Sequence, residues 1–237
     1  MLFANSLIDG YFYSNAMGRA IVLVQIGASI VMTTAIIGKI MDLNFVRSKT
    51  RRFKQLFSSY GEIIGYYRQY RPTVCYGLEK IYKETCERFL RIANPGERSS
   101  VAAGQPSFSL SLQEIELLRG TCYDTLDKEV MILEKYIGVI ATVVSIAPMF
   151  GLLGTVWGVL DAFAEMGTAG SANLATIAPA ISSALVTTVV GLLVAFPGVI
   201  AYNWIEARIR EYVSVYENFC EELISRFGCE YLRKEGV

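Results

Sequence analysis

Three runs of residues without a single charged side chain, 20–38, 136–160 and 166–205, constrain this chain more than any other feature. A soluble domain disperses its apolar residues at helix or strand period, whereas here they are contiguous. About 20 apolar residues in a helix cross a hydrocarbon layer roughly 30 Å thick. The first run fits one span, the second fits one span with tilt, and the third fits a loop followed by a span. The expected fold is an all-α membrane protein with three transmembrane helices, the second and third extended into a cytoplasmic helical bundle. A cleaved leader keeps its apolar stretch short and carries its positive charge ahead of it. The first run is longer and its positive charge follows it, so it reads as a retained span.

The charges orient these spans. Lys and Arg number 22 and balance 22 acidic residues. Arg19 alone precedes the first span, residues 161–176 contain no Lys or Arg, and all others lie in 39–135 or beyond 205. Cytoplasmic flanks carry the excess of Lys and Arg. The N-terminus is therefore expected outside and the C-terminus in the cytoplasm, with Arg47, Lys49, Arg51, Arg52 and Lys54 as the strongest marker. A nucleic-acid patch is the rival for that cluster. Its place directly after a span favours the orientation signal, and no nucleic-acid partner is expected.

The organisation that follows begins with a short outer segment, 1–19, whose Phe3, Tyr11, Phe12 and Tyr13 suit the interface, and a first span, 20–41. A cytoplasmic helical region, 42–135, contains helices near 45–70 and 73–93 and a Ser/Ala/Gly-rich linker, 94–110. The second span is 136–160, an outer loop 161–176, the third span 177–205 and a cytoplasmic C-terminal helix 206–237. Ser111 and Glu114 have capping-box spacing. From there Ile115, Leu118, Cys122, Leu126, Val130, Leu133 and Ile137 recur at steps of three and four. That stripe predicts one unbroken helix from 111 to 160, about 75 Å long. Ile209, Val213, Tyr216, Phe219, Leu223 and Phe227 continue the third span to a C-cap at Gly228.

The chain has no histidine, so Ser-His and Cys-His nucleophile pairs are impossible. Its five cysteines, Cys75, Cys86, Cys122, Cys220 and Cys229, show no CxxC spacing and read as reduced packing residues. No metal site, cofactor or enzyme activity is expected. Asp161 and Glu165 read as loop residues at the membrane edge, or as groups that draw protons or cations to a pore mouth. What remains is the polar set inside the spans. The second carries Thr142, Ser145, Pro148, Gly151, Gly154, Thr155 and Gly158; the third carries Pro179, Ser182, Ser183, Thr187, Thr188, Gly191 and Pro197. Ala180, Ala184, Thr188, Gly191 and Ala195 form a small-residue stripe at helical spacing. Such residues either let helices pack closely or line a polar path.

The motif Gly151-Leu-Leu-Gly-Thr155-Val-Trp-Gly158 resembles the second-span signature of the TolQ/ExbB/MotA proton-channel family. So do Ala178-Pro179, Ala184-Leu-Val-Thr-Thr188-Val-Val-Gly191-Leu, Pro197 and Ala201-Tyr-Asn203. Three spans match the TolQ/ExbB type; MotA-type members have four. The resemblance implies a homopentamer in the bilayer of a bacterial inner membrane, surrounding the single spans of two copies of a small partner of TolR or ExbD type. That partner supplies a membrane aspartate, which Thr155 and Thr188 face. Proton motive force is then coupled to a trans-envelope protein of TolA or TonB type, in biopolymer or bacteriocin transport or envelope maintenance. Ser183, Thr187 and Ser145 are further candidate pathway hydroxyls. Gly151, Gly154, Gly158, Ala184, Gly191, Pro148, Pro179 and Pro197 are candidate packing residues. The family commonly has glutamate where Ser183 stands, and a small apolar residue where Thr187 stands. A non-conducting oligomeric membrane scaffold is the alternative function. Because the spans hold no acid of their own, a conducting role requires a titrating group from a partner.

Overall fold

The computed structural model describes residues 15–60, 62–69, 75–93, 109–169 and 174–231. Among them the protein forms six helices and no strand: α1 (Ala16–Ser58), α2 (Gly65–Gln69), α3 (Leu78–Ile92), α4 (Leu112–Glu134), α5 (Ile137–Ala169) and α6 (Leu174–Tyr231). Three stretches, one each in α1, in α4–α5 and in α6, are long and apolar enough to cross a membrane, which agrees with the three expected spans. Two compact units form. The first comprises Met1–Ile40 and Tyr136–Glu206, the second Met41–Lys135 and Ala207–Val237.

In the first unit the apolar residues lie mostly on the outside. Only 22%, 22% and 33% of the three apolar windows are buried, and Leu23, Ile30, Leu152, Leu160, Leu193 and Phe196 are exposed. A surface of this kind suits lipid and not water. The interior holds Ile21, Val22, Met32, Ile140, Ala147, Ala184 and Val194 together with the polar Gln25, Ser183 and Thr187. Small residues set how close α5 and α6 come. A Cβ on Gly151 would lie 2.9 Å from Thr188 Cα, and one on Gly158 would lie 2.6 Å from Ala184 Cβ. Pro148, Pro179 and Pro197 all lie inside helices. Each lacks the N–H that a helix interior uses, so the turn before it carries a carbonyl without its usual donor.

The second unit is packed as a soluble domain is. Phe53, Phe57, Tyr66, Tyr82 and Phe219 meet with ring centroids 5.4–5.7 Å apart, mostly edge to face, the favoured aromatic geometry. Phe89, Phe227 and Tyr231 form a second cluster. Most of the expected stripes face inward: Ile115, Leu118, Cys122, Leu126 and Leu133 on α4, and Ile209, Tyr216, Phe219, Leu223 and Phe227 on α6 are buried, whereas Val130, Ile137 and Val213 are only partly so. The capping box at Ser111 and Glu114 is formed on both sides. All five cysteines are free thiols, and Cys122 Sγ lies 2.7 Å from Cys220 Sγ in the core.

Glu129 is the charged residue that the apolar pattern of α4 conceals. Its carboxylate, 7% exposed, accepts from Lys80 Nζ at 2.7 Å and from Gly77 N at 2.8 Å. Gly77 has φ of 56°, a conformation that favours glycine, and a Cβ there would strike the Tyr216 phenol. Removing one partner of such a pair strands the other. Glu129→Ala is expected to cost about 2 kcal/mol, discounted because Lys80 is one-third exposed. Thermal unfolding of this unit, followed by circular dichroism, should shift down by roughly 8 °C. Glu129→Gln keeps an acceptor for Gly77 and should lose less.

Several expectations are corrected. The helix from 111 to 160 is broken: α4 ends at Glu134, and Tyr136 has φ of 70° before α5 begins at Ile137. Neither glycine nor proline marks this break. An aromatic residue accepts the left-handed conformation there at a cost of order 1 kcal/mol. Gly228 does not end α6, which runs on to Tyr231, and the helix expected from 73 begins at Leu78. The helix expected near 45–70 is divided, α1 ending at Ser58 and α2 starting at Gly65. Residues 161–169, expected in an outer loop, continue α5. The outer segment up to residue 14, the boundary expected between the helices at 70 and 73, the linker from 94 to 108, the loop at 170–173 and the end beyond 231 lie outside the described residues.

Candidate functional site

Glycine spacing brings the second and third spans together, and the carbonyl of Gly151 is where they meet. Thr155, one turn further along α5, donates its hydroxyl to Gly151 O at 2.9 Å. From α6, Thr188 Oγ1 reaches the same oxygen at 3.0 Å and Thr187 Oγ1 at 3.1 Å. Thr155 and Thr188 also form a hydroxyl–hydroxyl hydrogen bond in which either is donor. A carbonyl has two lone pairs, and the α-helix already uses this one for the N–H four residues on. Three hydroxyl protons therefore compete for too few acceptor positions. Thr187 has an outlet, since it lies 2.7 Å from Ala184 O. Thr155 and Thr188 resolve the competition by one donating to the other, and either direction serves. Either arrangement leaves the pair uncharged.

The cluster is polar but half-open. Thr187 is buried at 1% exposure, while Thr155 and Thr188 are intermediate, so their hydroxyl pair is not sealed inside the chain. A neighbouring membrane helix can approach it. Gly154 makes room for Thr187, whose Cβ would lie 2.7 Å from a Cβ added at that glycine. Gly191 brings the three spans to one point: a Cβ there would lie 2.6 Å from Ala147 O and 2.9 Å from Gln25 Nε2.

Of the candidate pathway residues, Thr155, Thr187 and Thr188 are gathered on one carbonyl. Ser183, 5% exposed, lies one helical turn before Thr187 and donates to Ala180 O at 2.9 Å. Ser145 is exposed on α5, two turns away from Gly151 along the helix, and does not join the cluster. Of the packing candidates, Gly151, Gly154, Gly158, Ala184 and Gly191 lie at the α5–α6 contact; Pro148 is half-buried, and Pro179 and Pro197 are exposed. Arg47, Lys49, Arg51, Arg52 and Lys54 are exposed on α1.

Two contributions escaped the sequence reading, which weighed only the second and third spans. Gln25 on α1, 1% exposed, donates Nε2 to Ala147 O at 3.2 Å and to Thr187 O at 3.3 Å, tying the first span to both others. The available signal was that Gln25 is the one amide side chain in the 20–38 run. Asn15 donates Nδ2 to Asp161 Oδ2 and so joins the start of α1 to α5. Among the described residues, no group of three acidic or thiol side chains is placed to hold a metal ion.

Residues 93–218, more than half of the chain, match the model of the MotA/TolQ/ExbB proton channel family. The Tol-Pal system protein TolQ of Haemophilus influenzae is 28% identical over 221 residues, 92% of this chain and 91% of that one. The Tol-Pal system protein TolQ of Pseudomonas aeruginosa is 44% identical over 90 residues, covering 38% of this chain and 39% of its own. The biopolymer transport protein ExbB of Salmonella typhimurium is 34% identical over 136 residues, 49% of this chain and 56% of that one.

Proposed function

The chain belongs to the MotA/TolQ/ExbB proton channel family, and from that premise we propose that it is the three-span subunit of a proton-driven motor in a bacterial inner membrane. Copies of the chain, five by resemblance, surround the single spans of two small TolR- or ExbD-like chains. The aspartate on such a span takes up and releases protons against the Thr155–Thr188 pair. The resulting motion energises a TolA- or TonB-like protein that crosses the envelope. The N-terminus faces out, and the second unit lies in the cytoplasm, as the distribution of Lys and Arg directs.

The observation that carries this reading is the hydroxyl cluster on Gly151 O in spans that contain no carboxylate. An ionised aspartate at mid-bilayer costs about 2.5–3.5 kcal/mol or more and needs polar neighbours. Two half-exposed threonines supply them without adding a competing charge. One elementary charge crossing 100 mV releases about 2.3 kcal/mol, enough to bias a packed interface between two arrangements.

Mild-detergent purification from the native membrane, with mass spectrometry of whatever accompanies the chain, tests the proposal. A small single-span protein with an acid in its span is the expected companion. A homo-oligomer recovered repeatedly without one removes the proton carrier and leaves a passive scaffold.

A further inference from the structure

We propose that each copy of this chain binds one water molecule between its three membrane helices. The helices α1, α5 and α6 line a small, partly open recess with about 10 Å³ for the centre of a water molecule, bounded by Asn15, Gly18, Gly154, Trp157, Ser183 and Thr187 among others. That is about the room one water needs, provided that polar partners are present.

Most of the side-chain partners are acceptors. Ser183 Oγ spends its proton on Ala180 O at 2.9 Å, and Thr187 Oγ1 spends its own on Ala184 O at 2.7 Å or Gly151 O at 3.1 Å. Asn15 directs one of its two amide protons to the Asp161 carboxylate, which fixes the orientation of the amide and leaves Oδ1 as an acceptor and the second proton as a donor. The Ser183, Thr187 and Asn15 side chains thus offer three acceptor oxygens and one amide proton. A guest that both donates and accepts fits them, and water does both. A calcium ion takes six to eight oxygen ligands, twice the number present.

A separate observation shows the same surplus. Gln25 Oε1 is buried without a hydrogen-bond partner, because Nε2 is committed to the carbonyls of Ala147 and Thr187. Thr187 links the two places, its side chain bounding the cavity and its carbonyl receiving Gln25. An acceptor surplus inside apolar helices is costly unless something donates into it. Glycines at 154 and 158 keep the space from being filled by side chains of α5. The value of such a site to proton conduction rests on the function proposed above; the presence of the guest does not.

Water-edited solid-state NMR of the isotope-labelled protein in bilayers reads the guest directly, whether or not the protein conducts. Magnetisation from water is expected to reach Ser183 and Thr187 several-fold faster than Ala147 and Ala195, which are equally buried in the same unit. Ser183→Thr adds a methyl group while keeping the hydroxyl, and is expected to suppress transfer to Thr187 several-fold. Ser183→Ala, which keeps the room but removes an acceptor, should weaken it less and serves if the threonine variant does not fold. Transfer to Thr187 no faster than to Ala147 in the native protein overturns the proposal. So does transfer to Thr187 that is unchanged in both variants.

Discussion

Thr155→Val, like Thr188→Val, is expected to lower proton flux about tenfold or more, equivalent to roughly 1.4 kcal/mol in a barrier, while the protein still inserts and assembles. Valine keeps the shape of threonine and removes only the hydroxyl. The structural cost is small, because Gly151 O retains Thr187 and the remaining member of the pair as donors. A hydrogen bond of this type contributes about 0.5–1.5 kcal/mol, and relieving the competition for one carbonyl offsets part of that. The functional cost is large, because the two-way hydroxyl pair disappears with either member. Flux into proteoliposomes containing the copurified complex, measured beside the oligomer size of each variant, separates the two effects. Unchanged flux in both variants would exclude the pair from the pathway and favour a scaffold. Lost flux accompanied by lost assembly would assign the threonines to packing.

Gly191→Ala is expected to do the opposite, damaging assembly before conduction can be measured. Its new methyl would lie 2.6 Å from the Ala147 carbonyl oxygen and 3.3 Å from Gly151 Cα. Backbone atoms of a packed helix do not move aside as a flexible side chain does. Overpacking of this sort costs about 1–3 kcal/mol, and here it also displaces the Gln25 amide that joins all three spans. Gly138→Ala on α5 is the matched control, since a Cβ there meets nothing within 4 Å. In a helix that change should be neutral or gain up to about 1 kcal/mol. Thermal unfolding in detergent of the two variants should diverge, with Gly191→Ala lower than the parent and Gly138→Ala equal or higher. Equal midpoints would show that α5 and α6 are not held as closely as the glycines allow.

The second pair of contrasts, Gly191 against Gly138, also shows where reading the sequence stops. Both are glycines in apolar helices, and periodicity distinguishes them only weakly. One faces a carbonyl of another span and the other faces nothing. Gln25 is a similar case: an amide in the first run is visible in the sequence, but its partners stand 122 and 162 residues away. The break at Tyr136 has no local sign, because its left-handed backbone occurs without a glycine or proline to announce it. Glu129 is another case: the expected stripe runs through its neighbour Val130, yet Glu129 is the more buried of the two and is satisfied by Lys80 and Gly77 from a different part of the chain.

The sequence by itself determined the three spans, because a membrane demands about 20 contiguous apolar residues and leaves that demand written locally. It likewise determined the capping box at Ser111, the inward stripes of α4 and α6, and the family, whose motif residues are adjacent in the chain. Each of these depends on neighbours within a turn or two. Only the tertiary structure decided that Thr155, Thr187 and Thr188 share the single oxygen of Gly151, that Ser145 stands apart from them, and that the first span is tied in by Gln25. Those facts depend on the distance between helices, set by which glycines face which backbone atoms, and one-dimensional spacing carries no measure of it.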